Sequence, residues 1–198
     1  MARYGPPVAL IVVDVQNDFA DPAGGLAVHG GDRIIEAVNR EIGRAGAERA
    51  LVVATQDWHP EHTPHFARDG GPWPVHCVAG TWGAELHPAL TLPAGTPRIL
   101  KGANGEDGYS GFTMRDPETG ATIATELESL LRARDVERVV VCGLATDYCV
   151  SATALDAAAL GFATSLLLDG VRAVDLAPGD GARAVAAMRD AGVTLMGS

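Results

Sequence analysis

Aromatic side chains, cysteine pairs, basic charge and long apolar runs are all scarce in this chain, and each scarcity narrows what it can be. Only 5% of residues are aromatic although 47% are hydrophobic. Small and branched aliphatic residues therefore carry the apolar content, which suits tight packing of helices on a sheet. Three cysteines, Cys77, Cys142 and Cys149, are an odd number and form no C-x-x-C. That argues against a disulfide framework and fits a reducing cytoplasm. Fifteen basic residues face 25 acidic ones, a net charge of −10 with no basic stripe, which argues against nucleic acid or an anionic membrane as partner. No apolar run approaches the ~20 residues of a membrane span. The opening Met1-Ala-Arg-Tyr-Gly-Pro-Pro leads into an apolar run and does not read as a signal peptide. A length of 198 residues suits one domain over residues 1–198.

What is present is an alternation of apolar runs with helical patterns. Val8–Asp14, Ala50–Thr55, Arg98–Lys101, Arg138–Cys142, Ala163–Asp169 and Val193–Met196 read as strands. Asp32–Ala47, Ile123–Arg134, Asp147–Leu160 and Asp180–Ala191 have helical spacing. Continuous apolar strands separated by helices predict a three-layer α/β/α fold, a doubly wound and mainly parallel sheet of about six strands. One stretch, 57–97, is irregular and rich in His, Pro, Gly and Trp. Loops that long inside a compact domain are usually functional.

Four of the strands run into a reactive group: Asp14, then Asp57 with His59, then Lys101, and finally Cys149 just beyond Gly143. In a parallel sheet these ends share one edge, so groups far apart in sequence converge. A lone strand-end Asp is more often a turn residue, and a lone buried Cys a small hydrophobe. The coincidence of four favours a site. Cys149 enters a helical pattern, where the helix start and a cation such as Lys101 favour thiolate. Asp14 can accept the thiol proton and later return it to a leaving amine. Backbone amides around Ala145 and Cys149 can hold a developing oxyanion. Asp, Lys and Cys together describe acyl transfer from an amide.

A second constellation lies beside the first. Five of the six histidines fall between residues 59 and 87. Asp57 and His59, with His65 and His76, offer imidazole and carboxylate ligands suited to one divalent Zn, Fe or Mn ion. His62 is the substitute if His65 is not a ligand, and His29 and His87 read as surface residues. No G-x-G-x-x-G, G-x-x-x-x-G-K-[ST], H-E-x-x-H or G-x-S-x-G occurs.

The segments Asp14-Val-Gln-Asn-Asp-Phe19, Thr55-Gln-Asp-Trp-His-Pro60, Trp73-Pro-Val-His-Cys77, Lys101-Gly102, Tyr109-Ser-Gly-Phe112 and Gly143-Leu-Ala-Thr-Asp-Tyr-Cys149 together resemble the nicotinamidases (pyrazinamidases), isochorismatase-like cysteine hydrolases. The resemblance extends from Ala9 to about Asp169. It implies a triad of Asp14, Lys101 and Cys149, and a cis Leu144–Ala145 peptide beside the oxyanion amides of Ala145 and Cys149. Asp57, His59 and His76 would bind the metal. His65, in Thr63-Pro-His65-Phe66 where many members have His-x-Ser-Phe, would be the fourth ligand. Phe19, Leu26, Trp73, Tyr109 and Tyr148 would line a ring pocket, although several members carry His where Tyr148 stands. The implied reaction converts nicotinamide, and by extension pyrazinamide, to the acid and ammonia. Two rivals stand beside it: a metal-free cysteine amidase acting on another small amide, and a non-catalytic metal-binding or redox-sensing module. Oligomeric state, a homo-oligomer included, is left open.

Overall fold

The structure, a computed structural model, describes residues 4–197. Among them, eight strands form: β1 (Val8–Val13), β2 (Leu51–Asp57), β3 (Arg98–Lys101), β4 (Thr113–Arg115), β5 (Thr122–Ala124), β6 (Arg138–Leu144), β7 (Ala163–Arg172) and β8 (Thr194–Met196). Six of them make one sheet in the order β3-β2-β1-β6-β7-β8, every neighbouring pair parallel. The helices are α1 (Asn17–Ala20), α2 (Ile35–Ala47), α3 (Leu127–Arg132), α4 (Ser151–Ala159) and α5 (Asp180–Asp190).

Side chains on a strand alternate between faces, and β1 shows how one strand feeds two cores. Val8, Leu10 and Val12 pack in the cluster that holds Ile35, Val38 and Ile42 of α2. Ala9, Ile11 and Val13 pack in the other, with Leu127 and Leu131 of α3, Ala154 and Ala157 of α4, and Met188 of α5. Burial on both faces explains why β1 reads as an unbroken apolar run rather than an alternation. The expected doubly wound α/β fold is the one observed.

The strand order reverses between β1 and β6. Open α/β sheets bind ligands in the crevice outside the carboxyl ends of the strands at such a switch point. Asp14 follows β1 and Cys149 follows β6, so the switch point falls between them. Gly143 makes that neighbourhood close: it pairs with Val13, has φ 118°, and a Cβ there would collide with the Val13 carbonyl oxygen.

One helix is shorter than its pattern. The spacing over Ile123–Arg134 predicts a single helix, whereas Thr122–Ala124 pairs antiparallel with Thr113–Arg115 and helical structure runs only from Leu127 to Arg132. Thr125 divides the two, its hydroxyl donating to Gly111 O at 2.6 Å and accepting from Leu127 N at 3.1 Å. The Asp147–Leu160 pattern likewise splits, into a π-helical turn over Thr146–Val150 followed by α4.

Candidate active site

Asp14, Asp57 and Lys101 stand at the ends of β1, β2 and β3, and Cys149 in the π-helical turn that follows β6. Asp14 adopts φ 49° directly after β1, a left-handed conformation that Asp tolerates better than most residues. Its carboxylate is fully buried. Thr55 Oγ1 donates to Oδ1 at 2.6 Å and Lys101 Nζ to Oδ2 at 2.7 Å. Lys101, the last residue of β3 and 1% exposed, also stands 2.6 Å from Asp57 Oδ1 and 3.4 Å from Cys149 Sγ. The ligating atoms of Asp14, Asp57 and Cys149 lie within 4.8 Å of one another. One ammonium therefore serves two carboxylates and a thiol. The Leu144–Ala145 peptide before the thiol-bearing turn is cis.

Burial sets the protonation pattern here. It pushes the Cys149 thiol well above its ordinary range, Lys101 opposing and Asp14 and Asp57 adding to the rise. Lys101 does favour the thiolate, as the sequence suggests, but burial outweighs it and the two acids add to the rise. Burial also raises Asp14 against the pull of Lys101. At Asp57 burial again works upward, but Lys101 and the neighbouring imidazoles hold the carboxyl well below the usual carboxylate range. Burial would lower Lys101, yet the two carboxylates keep its ammonium charged far beyond the ordinary range.

Beside this cluster, His59, His65 and His76 bring ring nitrogens within 4.8 Å of one another. Asp57 Oδ2 stands 3.8 Å from His59 Nε2 and 4.0 Å from His76 Nε2. His76 Nδ1 donates to Pro74 O at 2.7 Å, and burial lowers its pKa to about 4, leaving a neutral imidazole with Nε2 toward the cluster. Among the described residues, neither ring nitrogen of the buried His59 has a hydrogen-bond partner. Orphaned buried nitrogens are rare in proteins unless a water or an ion meets them. With both carboxylates ionised, Asp14, Asp57 and Lys101 leave a net negative charge in a buried volume, which a cation offsets. Three imidazoles and one carboxylate therefore fit a divalent metal both chemically and electrostatically. Gly102 gives the ring room: a Cβ there would stand 2.6 Å from His59 Nδ1.

A cavity opens over both clusters. Its wall includes Asp57, His65, His76, Ala145 and Cys149 on the polar side, with Phe19, Leu26, Trp73, Tyr109 and Tyr148 on the aromatic and apolar side. Trp73 Nε1 donates to the Tyr109 hydroxyl at 3.0 Å, and Trp73 and Tyr109 both meet Tyr148 edge-on.

A family model described as the isochorismatase domain matches residues 8–198. The chain belongs to the isochorismatase family. Within it, the nicotinamidase of Escherichia coli K12 is 40% identical over 96% of this chain and 94% of its own length. The nicotinamidase/pyrazinamidase of Mycobacterium tuberculosis is 45% identical over 81% and 84%. The zinc complex of Pyrococcus horikoshii pyrazinamidase superposes with a TM-score of 0.87 at 44% identity, covering 98% of this chain and all of that one.

In this isochorismatase-family chain, the residues assigned to the triad, the metal and the ring pocket do come together: Asp57, His65, His76, Ala145, Cys149 and the five pocket residues line the cavity, and Asp14, His59 and Lys101 are buried against them. His62, the substitute ligand, does not: its side chain is 72% exposed and bonds Asp69 at 3.1 Å. Residues that the sequence reading missed complete the site. Val28 and Val174 line the cavity. Asp147 carries Val174 there by accepting from Val174 N and Asp175 N at 2.9 and 2.8 Å. Gln16 holds Asp57 by its backbone, donating to Asp57 O at 2.7 Å and accepting from Asp57 N at 2.8 Å. Asp18 accepts from Cys77 N at 2.6 Å and Gly25 N at 2.8 Å, joining the loops that carry His76 and Leu26. Gln16 and Asp18 fall inside the Asp14–Phe19 segment, yet nothing in their spacing reveals partners 41 and 59 residues away.

Proposed function

We propose that this chain is a metal-dependent nicotinamidase that hydrolyses nicotinamide, and pyrazinamide, to the ring carboxylate and ammonia. One observation carries the reading. A buried thiol, held against an ammonium and a carboxylate, faces the same small aromatic-walled cavity as two of three convergent imidazoles. The relatives named nicotinamidase and pyrazinamidase support the substrate class. Asp57, His59, His65 and His76 would hold a divalent ion, which would supply Lewis-acid chemistry for orienting the substrate ring. Zinc is the first ion to test, given the Pyrococcus complex, with iron and manganese next.

Cys149 Sγ attacks the carboxamide carbon as Asp14 takes the thiol proton. Burial makes this transfer costly, and Lys101 eases it: its Nζ is 2.7 Å from the carboxylate that loses charge and 3.4 Å from the sulfur that gains it. The amides of Ala145 and Cys149 receive the oxyanion. Collapse of the tetrahedral adduct breaks the C–N bond, Asp14 returns the proton to the leaving nitrogen, and ammonia departs, leaving a thioester. Asp14 then removes a proton from water, which attacks the thioester and releases the acid, and the proton passes to Cys149. Phe19, Trp73, Tyr109 and Tyr148 enclose the ring and limit the cavity to single-ring amides.

A single-domain, cytoplasmic protein without nucleic-acid or membrane partners belongs to the same proposal. Its three cysteines are free and buried, its net charge is −10, and among the described residues no helix is long and apolar enough to cross a membrane. The decisive experiment measures ammonia release from nicotinamide alongside metal content. Release should require both the metal and Cys149, falling at least 1,000-fold in Cys149→Ala, on the order of the loss seen when a triad nucleophile is removed. Release that survives Cys149→Ala, or that persists in metal-stripped protein, overturns the reading.

A further inference from the structure

The three clustered imidazoles are held in three different ways. The His76 ring is fixed by a backbone carbonyl, and the His59 ring nitrogens have no hydrogen-bond partner among the described residues. His65 alone is held by a side chain, its Nδ1 standing 2.8 Å from Asp107 Oδ1. His65 is buried, while the Asp107 side chain is about half exposed, at 52%. Asp107 is nonetheless anchored, because Asp107 N donates to Arg115 O at 2.8 Å and Arg115 N donates back at 2.5 Å. The bridge to Arg115 at the end of β4 thereby ties the β4–β5 hairpin, through Asp107, to the loop that carries His65.

A carboxylate on Nδ1 selects the tautomer that leaves Nε2 free as a ligand, and it raises the basicity of that nitrogen. The His65 ring also stacks on His59, centroids 4.8 Å apart and planes 22° from parallel, so the orientation Asp107 sets keeps His65 facing the other two. His62 has an acidic partner too, Asp69, but that pair lies outside the cluster with the His62 side chain 72% exposed.

We propose that Asp107 is a positioning residue of the metal centre: it orients His65 and fixes its tautomer, and so makes His65 rather than His62 the fourth ligand. This rests on the metal-dependent reading above. The test is metal affinity, measured by chelator competition on the full chain with zinc as the probe, and it needs no turnover. Asp107→Ala should weaken binding about 10–100-fold, and Asp107→Asn, which keeps an acceptor oxygen, should fall between it and the wild type. His65→Ala should weaken binding at least as much, and adding Asp107→Ala to it should cost nothing further, because the two act as one unit. His62→Ala should leave affinity unchanged. Tight wild-type binding that Asp107→Ala does not alter overturns the inference alone, as does an additive loss in the double variant or a loss in His62→Ala. A wild-type chain that binds no zinc, iron or manganese overturns the metal-dependent reading, and this inference with it.

Discussion

Both carboxylate oxygens of Asp14 are already engaged, Oδ1 by the Thr55 hydroxyl and Oδ2 by Lys101. Each bond favours the ionised form, and burial opposes them and wins, so the carboxyl titrates above its ordinary range. Asp14 must be ionised to take the Cys149 proton, so activity should fall as pH drops through that raised value. Thr55→Val keeps the shape and removes one donor to the charged form. The acid limb of kcat/KM should then move to higher pH, with a loss of roughly 10-fold or more on the acid side, the value of a hydrogen bond to a charged group. Thr55→Ser should restore the wild-type limb. A pH profile identical in Thr55→Val would show that Lys101 alone sets Asp14. Thr55 illustrates what a sequence conceals at this scale. Asp14, Asp57, Lys101 and Cys149 are legible because each follows an apolar run, whereas Thr55 and Asp107 act on residues 41 and 42 positions away, and no local spacing records such a contact.

At the scale of elements, the tightest point is the junction of β1 and β6, where Gly143 faces Val13. Gly143→Ala would force a side chain into φ 118° and against a backbone carbonyl. The backbone conformation costs about 1–3 kcal/mol, and overpacking adds about 1–3 kcal/mol. Thermal unfolding should show a fall in Tm of at least about 4–8 °C, with activity lost because the shift displaces the turn that carries Cys149. A Tm within a degree of wild type would mean that the strands separate without penalty. This junction also shows why most of the sheet could be read in advance. Strands buried on both faces leave unbroken apolar runs, and the helices between them keep a 3.6-residue period. The β4–β5 hairpin was not legible, because its strands are three residues each and their branched residues merge with the helical pattern that follows. The 57–97 loop was legible as functional through its histidines, but not in its path, which is set by side chains of Gln16, Asp18 and Gln56 reaching in from elsewhere.

For the molecule as a whole, that loop is the part whose stability should depend on the metal. Backbone bonds close its first half, residues 59–79, with His59 N donating to Cys77 O at 3.0 Å and Ala79 N to His59 O at 2.8 Å. Between them three imidazoles face one another, and His59 contributes two buried, unpartnered nitrogens. On the proposed reading, a divalent ion would tie residues 57, 59, 65 and 76 together and offset the negative charge that Asp14 and Asp57 leave around Lys101, whereas the chain alone must bear both costs. Metal that binds only the folded state at 100 times its dissociation constant adds about 2.7 kcal/mol. For a chain of this size that corresponds to a Tm roughly 5–11 °C higher than in metal-stripped protein. Limited proteolysis should locate the difference, with cleavage after chelation concentrated between residues 58 and 78 while the strands of the sheet stay protected. Restoring the metal should reverse both effects, and the Tm rise should scale with the logarithm of free metal concentration. If stripping the ion leaves Tm and the cleavage pattern unchanged, the loop is held by its hydrogen bonds and the metal serves only to bind the substrate ring.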